Sequence, residues 1–228
     1  MTKLVALVTG FEAYGGRGLN PAGEVASCVD GLEIDGARVV GRNFPVSFAS
    51  LSQNIRQTFA EVDPAVVLSL GLWPGEAVVR LERIGINIAD FEIPDNEGTV
   101  VVDETLNRGA AAARLATLPL RRIQDALLEA GIPARLSSTA GTFLCNATLY
   151  SFLGEVEDSG KAVRCGFMHL PYAPKQVAEL MDQGIAEGCD EQRRGDADNQ
   201  GEGGYAHGGY SPAARPSMAS WSSLSRPK

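Results

Sequence analysis

The sequence predicts an α/β fold, a largely parallel sheet with helices on both faces. Three observations carry that reading. Strand-like and helix-like stretches alternate along most of the chain, which is how parallel sheets are connected. "AVVLSLGL" (65–72) is a short continuous apolar run, the pattern of a strand buried on both faces. "SFASLSQNIRQTFAEVDP" (47–64) puts Phe48, Leu51, Ile55 and Phe59 at helical spacing.

The elements follow in order. "LVALVT" (4–9) reads as a buried strand and runs into the glycine-rich loop "GFEAYGGRGLNPAGEVA" (10–26). Asn20 and Pro21 in that loop suit an N-cap and a first helical position. "ARVVGRNFPV" (37–46) is a second strand. "AVVRLERIGINIADFEI" (77–93) is extended and β-branched until "PDNEG" (94–98) breaks it with turn residues. "LPLRRIQDALLEAG" (118–131) is an amphipathic helix closed by Gly131. "ARLSSTAG" (134–141) is a strand, "TFLCNATLYSFLGEV" (142–156) a helix, and "KAVRCGFMHL" (161–170) a strand stopped by Pro171. "PKQVAELMDQGIAEG" (174–188) is a further helix. Gly10, Gly71, Gly141 and His169 fall near the ends of predicted strands, where sites gather in open α/β sheets.

From about Asp190 the composition turns to Gly, Ser, Pro and Arg, with almost no aliphatic periodicity. Such a stretch buries too little to order itself. The expected organisation is one globular domain over 1–189 and a flexible tail over 190–228.

The net charge is −8 and no Lys/Arg run appears, which argues against a nucleic-acid partner or a membrane patch. No apolar run approaches a membrane span. Four widely spaced cysteines (Cys28, Cys145, Cys165, Cys189) form no CxxC pair or Cys/His ligand cluster, so no metal site is expected. Reduced thiols and no signal peptide make the cytoplasm the expected location.

Cys145 is the first candidate for chemistry. Gly141 permits a tight turn, and the thiol then falls in the first turn of a helix. There the helix dipole favours thiolate; the competing reading is a small buried hydrophobe. A nucleophilic thiol needs a base, and the chain has two histidines. His207 lies in the tail, whereas His169 ends a strand, with an imidazole suited to proton transfer near neutrality. A structural histidine is the alternative. Glu82 stands in an otherwise apolar strand, and a buried carboxylate demands a partner. It either orients His169, as the acid of a triad does, or pairs with Arg80 or Arg83. "GFEAYGGRG" fails the P-loop and G-x-G-x-x-G templates. Its Phe11 and Tyr14 either line an apolar pocket or pack the loop.

Taken together, "VTGFEAYGG…NP", "LERIGINIADFEIPDNEG", "TAGTFLCNATLY" and "GFMHLPYAPKQ" resemble the pyroglutamyl peptidase I family of cysteine peptidases, in order and spacing from about Leu4 to Gln176. The resemblance implies a three-layer α/β/α sandwich with a largely parallel, mixed central sheet. It implies removal of N-terminal pyroglutamate from peptides, no cofactor, and often a homotetramer. It assigns Cys145 as nucleophile, His169 as base and Glu82 as orienting acid. Phe11, Tyr14, Asn20 and Leu144 become the substrate-binding set. The chain departs from the family pattern at Tyr14 (usually Phe), at Leu72 (often Gln), at Glu92 (often Arg) and in its C-terminal stretch after "PSMA". A second reading is a homologue that holds pyroglutamyl ends without cleaving them.

Overall fold

The computed structural model describes residues 4–181. A seven-stranded sheet forms its centre, in the order β2-β3-β1-β4-β9-β5-β8. The first half, in chain order, comprises β1 (Val5–Phe11), α1 (Pro21–Val29), β2 (Glu33–Ile34), β3 (Ala37–Phe44), α2 (Phe48–Val62) and β4 (Val66–Leu72). The second half comprises β5 (Val79–Glu82), β6 (Ile84–Ile86), β7 (Ala113–Leu115), α3 (Leu120–Glu129), β8 (Ala134–Ser137), α4 (Leu144–Ser159) and β9 (Arg164–Leu170). Residues 174–181 begin a further helix. The rest of the expected 174–188 helix, Cys189, His207 and the expected tail over 190–228 lie outside the described residues.

Strands β3, β1, β4 and β9 run parallel. The sheet is mixed because β5 pairs with β9 antiparallel, and β8 runs with β5. Alternation along β1 separates the two faces. Gly10 meets α1 so closely that a Cβ there would run into the Ala22 carbonyl. On the other face, Leu7 and Phe11 join a core with Leu51 and Ile55 of α2 and Phe152 of α4. The sheet is therefore the middle layer of three. Phe152 stacks on Phe44, which meets Phe11 edge-on. Truncating a fully buried phenylalanine such as Phe152 to alanine costs about 3–5 kcal/mol.

Local sequence explains the helix ends. Asn20 caps α1 by accepting from the Ala22 N–H at 3.1 Å, with Pro21 in the first turn. Asp63 and Gly160 close α2 and α4 in the left-handed region, and Gly131 (φ 75°) follows α3 in the same conformation. The apolar side of α3 is only partly covered, since none of its residues is buried.

Four details differ from the sequence expectation. The stretch 77–93 is not one strand: it breaks after Glu82, and β6 leaves the main sheet to pair antiparallel with β7. The short strands β2 and β7 were not foreseen. The strand expected over 134–141 ends at Ser137. Because β8 runs opposite to β9, Gly141 (φ 76°) is not past a carboxyl end of the parallel set. The chain after β8 returns to the His169 edge, so that a Cβ on Gly141 would lie 3.6 Å from Trp73.

Candidate active site

Four neighbouring elements meet at one edge of the sheet. Strand β9 delivers His169, β5 delivers Glu82, and the first turn of α4 delivers Cys145. The loop after β1 supplies Tyr14. In the β4–β9 register Gly71 lies opposite His169. A Cβ at Gly71 would stand 2.8 Å from the Cys145 sulfur and 2.8 Å from the Phe167 ring. Glycine is thus what lets the thiol settle against the sheet edge.

His169 Nδ1 lies 2.8 Å from Glu82 Oε1. The same oxygen accepts from Arg80 Nε at 3.1 Å. Glu82 thus meets both partners the sequence offered it, the histidine and an arginine. Glu82 is 0% exposed and His169 1%. The imidazole is flanked by Trp73 and Phe167, ring centroids 5.0 and 4.8 Å away. Glu82, an ionised carboxylate paired with Arg80, can only accept, which makes Nδ1 the donor and leaves the free lone pair on Nε2. Burial holds the His169 pKa below its ordinary 6.5, against the opposing pull of Glu82.

Cys145 is partly buried and free. The expectation of a lowered thiol pKa is corrected: burial, reinforced by the Glu82 charge, pushes the Cys145 thiol up to about 12. Desolvation of the anion outweighs the favourable end of the helix. Both shifts favour the uncharged forms, thiol and imidazole.

Two adjoining cavities share Cys145. The outer, of about 230 Å³, is lined by Trp73, Glu92, Ile93, Gly141, Cys145 and His169 among others. The inner, smaller and mostly apolar, takes Phe11, Asn20, Val46, Leu144 and Gly71. Tyr14, Leu72 and Phe143 line both. All four expected substrate-binding residues thus border the inner pocket, though in different ways. Tyr14 faces Phe143, and burial raises its hydroxyl pKa to about 12. Phe11 and Leu144 are core residues as well as lining. Asn20 has its amide engaged in the loop, its Nδ2 donating to the Glu12 carbonyl at 2.9 Å. Glu92 is exposed at the rim. A larger cleft of about 490 Å³, bordered by Glu12, Ser27, Cys28 and Asn43, includes neither Cys145 nor His169, and chemistry decides for the smaller one.

Sequence reasoning missed Asn146. It is fully buried and bridges α4 to β6, accepting from the Ile86 N–H at 2.8 Å and donating to the Ile86 and Ile88 carbonyls at 2.9 Å. It fixes the helical turn that carries Cys145. An amide immediately after the cysteine, inside an apolar helix, was the available signal. Among the described residues no group of three or more His, Cys, Asp or Glu is arranged to hold a metal ion.

The sequence matches the pyroglutamyl peptidase family over residues 4–193. The chain belongs to that family. A pyrrolidone-carboxylate peptidase of Pyrococcus furiosus is 40% identical over 178 residues, 78% of this chain and 86% of that one. One from an Enterobacter species is 40% identical over 172 residues, 75% of this chain and 80% of that protein. A crystal structure of the Pyrococcus furiosus pyrrolidone carboxyl peptidase superposes with a TM-score of 0.78 at 39% identity, covering 79% of this chain and 87% of that one. The pyroglutamyl peptidase fold and the convergence of Cys145, His169 and Glu82 thus coincide in one chain.

Proposed function

We propose that Cys145, His169 and Glu82 carry out the reaction of this pyroglutamyl peptidase, the removal of an N-terminal pyroglutamate from peptides. The observation that carries the assignment is the cavity shared by Cys145 and His169, with His169 locked to Glu82 at 2.8 Å.

The lining of the inner pocket suits a neutral, flat lactam ring, and its volume of about 20 Å³ has to widen to admit one. Phe11, Tyr14, Val46 and Leu144 offer apolar walls. The remaining peptide extends through the outer cavity past Glu92 and Ile93. His169 Nε2 takes the Cys145 proton as the sulfur bonds to the pyroglutamyl carbonyl carbon. The first-turn N–H groups of α4 lack helical acceptors, and Phe143 gives no side-chain cap. They are the donors for the oxyanion, each worth about 3–4 kcal/mol. His169 then returns its proton to the leaving amine as the C–N bond breaks. Water, deprotonated by His169, then attacks the thioester carbon; the C–S bond breaks, pyroglutamate leaves, and His169 returns the proton to the Cys145 sulfur.

The finer expectations belong to the same reading: a cytoplasmic homotetramer, as the resemblance implies, and a catalytic domain over 1–189 followed by a tail over 190–228. The family match, which ends at 193, supports that boundary. Among the described residues no helix is long and apolar enough to cross a membrane.

The test is release of a fluorescent amine from a pyroglutamyl amide, with and without iodoacetamide. Thiol-sensitive release is expected. A folded protein that binds the amide and releases nothing would leave a binding homologue instead.

A further inference from the structure

Arg80 is 4% exposed, and its guanidinium is engaged on every side. Nε donates to Glu82 Oε1 at 3.1 Å. Nη2 donates to Ser137 Oγ and to the Thr139 carbonyl, both at 2.8 Å. Nη1 reaches Glu76 Oε1 at 3.4 Å. The guanidinium carbon lies 3.6 Å from the centroid of the Trp73 ring. Two of these partners are also the partners of His169: Glu82 Oε1 receives Nδ1, and Trp73 meets the imidazole edge-on at 5.0 Å. Arg80 therefore touches both supports of the histidine without touching the histidine's reactive nitrogen.

We infer that Arg80 is a positioning residue for the reaction, holding Glu82 and Trp73 in place and balancing the Glu82 charge so that His169 rests as an uncharged base. The inference rests on the assignment of His169 as that base. A carboxylate buried beside a lone imidazole favours the imidazolium, because an opposite charge stabilises the charged form. Here the carboxylate already has a cation on the same oxygen. The charged and titratable groups facing His169 or sharing its cavity are Glu82 and Arg80 from β5, Glu76 from the turn before it, Cys145 from α4, Tyr14 from the loop after β1, and Asp90 and Glu92 from the stretch after β6. β4 contributes Gly71 and, just beyond the strand, Trp73, neither of them charged. Glu76 is itself held by Arg135, at 2.7 and 3.0 Å. Glu82 and Glu76, the carboxylates nearest the buried side of the ring, are thus paired with two guanidinium groups, Arg80 and Arg135. Without Arg80, His169 would be the sole cationic partner open to Glu82 Oε1, and the site would rest protonated.

Lysine cannot replace Arg80 fully, since the planar fork serves four acceptors and a stacked indole at once. The two effects of Arg80, charge and geometry, are therefore separable by substitution. Arg80→Gln removes the charge; Arg80→Lys keeps it and removes the fork. Each is made in the full chain carrying His207→Ala, so that a single histidine remains to be followed by proton NMR. The pH dependence of kcat/KM on a pyroglutamyl amide is measured in parallel.

In Arg80→Gln the His169 midpoint is expected to rise by about one unit, roughly a tenfold gain in proton affinity. The acid limb of kcat/KM should move with it. In Arg80→Lys the midpoint stays in place while kcat falls about tenfold, with KM within about twofold, as lost orientation predicts. A purely structural Arg80 would lower the yield of folded protein and leave the midpoint alone. A folded Arg80→Gln protein with the parental midpoint overturns the inference. If that variant does not fold, an Arg80→Lys protein with undiminished kcat overturns it instead. Should the parent protein release no amine at all, the assignment of the catalytic groups fails on its own, and the NMR midpoints still decide the part played by Arg80.

Discussion

His169 Nδ1 and Glu82 Oε1 lie 2.8 Å apart, with Glu82 fully buried and His169 1% exposed toward the outer cavity. Their elements are 87 residues apart in sequence, and the antiparallel pairing of β5 with β9 brings them together. Replacing Glu82 by glutamine changes both partners. The amide can turn a donor toward Nδ1, which moves the imidazole proton to the wrong nitrogen, and Arg80 loses its buried counter-ion. The expected result is a fall in kcat of about 10²–10⁴-fold, the range general-base contributions span. Stability should fall by about 3–5 kcal/mol, as when one partner of a buried ion pair is removed. Steady-state kinetics and urea unfolding measure the two separately. A Glu82→Gln protein with parental kcat would remove Glu82 from the mechanism.

The pH profile follows from the direction of two shifts. Burial lowers the His169 pKa below 6.5, so the neutral base persists as pH falls past that value. The acid limb of kcat/KM is expected below 6.5. The stability linked to this group has the same sign: it is complete above 6.5 and is lost as pH falls through the folded pKa. The Cys145 thiol is raised from 9.0 to about 12. Its contribution is complete below 9.0 and declines as pH rises from there toward 12. Between the two limbs kcat/KM should be flat. An acid limb above 6.5 would mean that the pull of Glu82 outweighs burial and raises the imidazole instead.

Cys145→Ser should abolish turnover while leaving the melting temperature within about 2 °C, since a partly buried near-isosteric change costs little. Thermal unfolding followed beside the fluorescent-amine assay checks both. Full activity in this variant would place the nucleophile elsewhere.

Gly71→Ala tests the packing beneath the thiol. The new methyl group would sit 2.8 Å from both the Cys145 sulfur and the Phe167 ring. Overpacking of this kind costs about 1–3 kcal/mol, and the sulfur has to move. Loss of a near-attack geometry by about 1 Å costs on the order of 10²-fold. The expected signature is a large fall in kcat in a protein that still unfolds cooperatively. A parental kcat would mean that the sulfur reacts from a different position.

The groups proposed as catalytic were legible because each breaks a local pattern. Glu82 is a lone charge in an apolar strand, His169 a lone imidazole at a strand end, and Cys145 a thiol at a turn-to-helix junction. Asn20 was legible from the proline that follows it. Strand direction was not: alternation of apolar residues carries no sign, so the reversal of β5 and β8 could not be read. Nor could the break after Glu82, since both halves have the same β-branched composition. Asn146 finds its partners 58 and 60 residues away, which no local pattern reports. The thiol pKa failed for a related reason, because desolvation depends on what packs around the helix end and not on its sequence.

Glu92 sets the last expectation. It is exposed at the rim of the outer cavity, beside Ile93 and on the path proposed for the leaving peptide. Asp90 lines the same cavity, so the negative potential there favours a cationic residue after pyroglutamate. Exposed ion pairs are worth up to about 1 kcal/mol, so the preference for pyroglutamyl-lysine over pyroglutamyl-glutamate amides should be about 2- to 5-fold. It should shrink at high ionic strength, where the Debye length contracts to about 3 Å. Glu92→Arg should reverse the order, with kcat on a neutral amide nearly unchanged. Competition between the two charged amides at low and high salt measures it. Equal rates for both amides in the parent protein would place the leaving peptide away from Glu92.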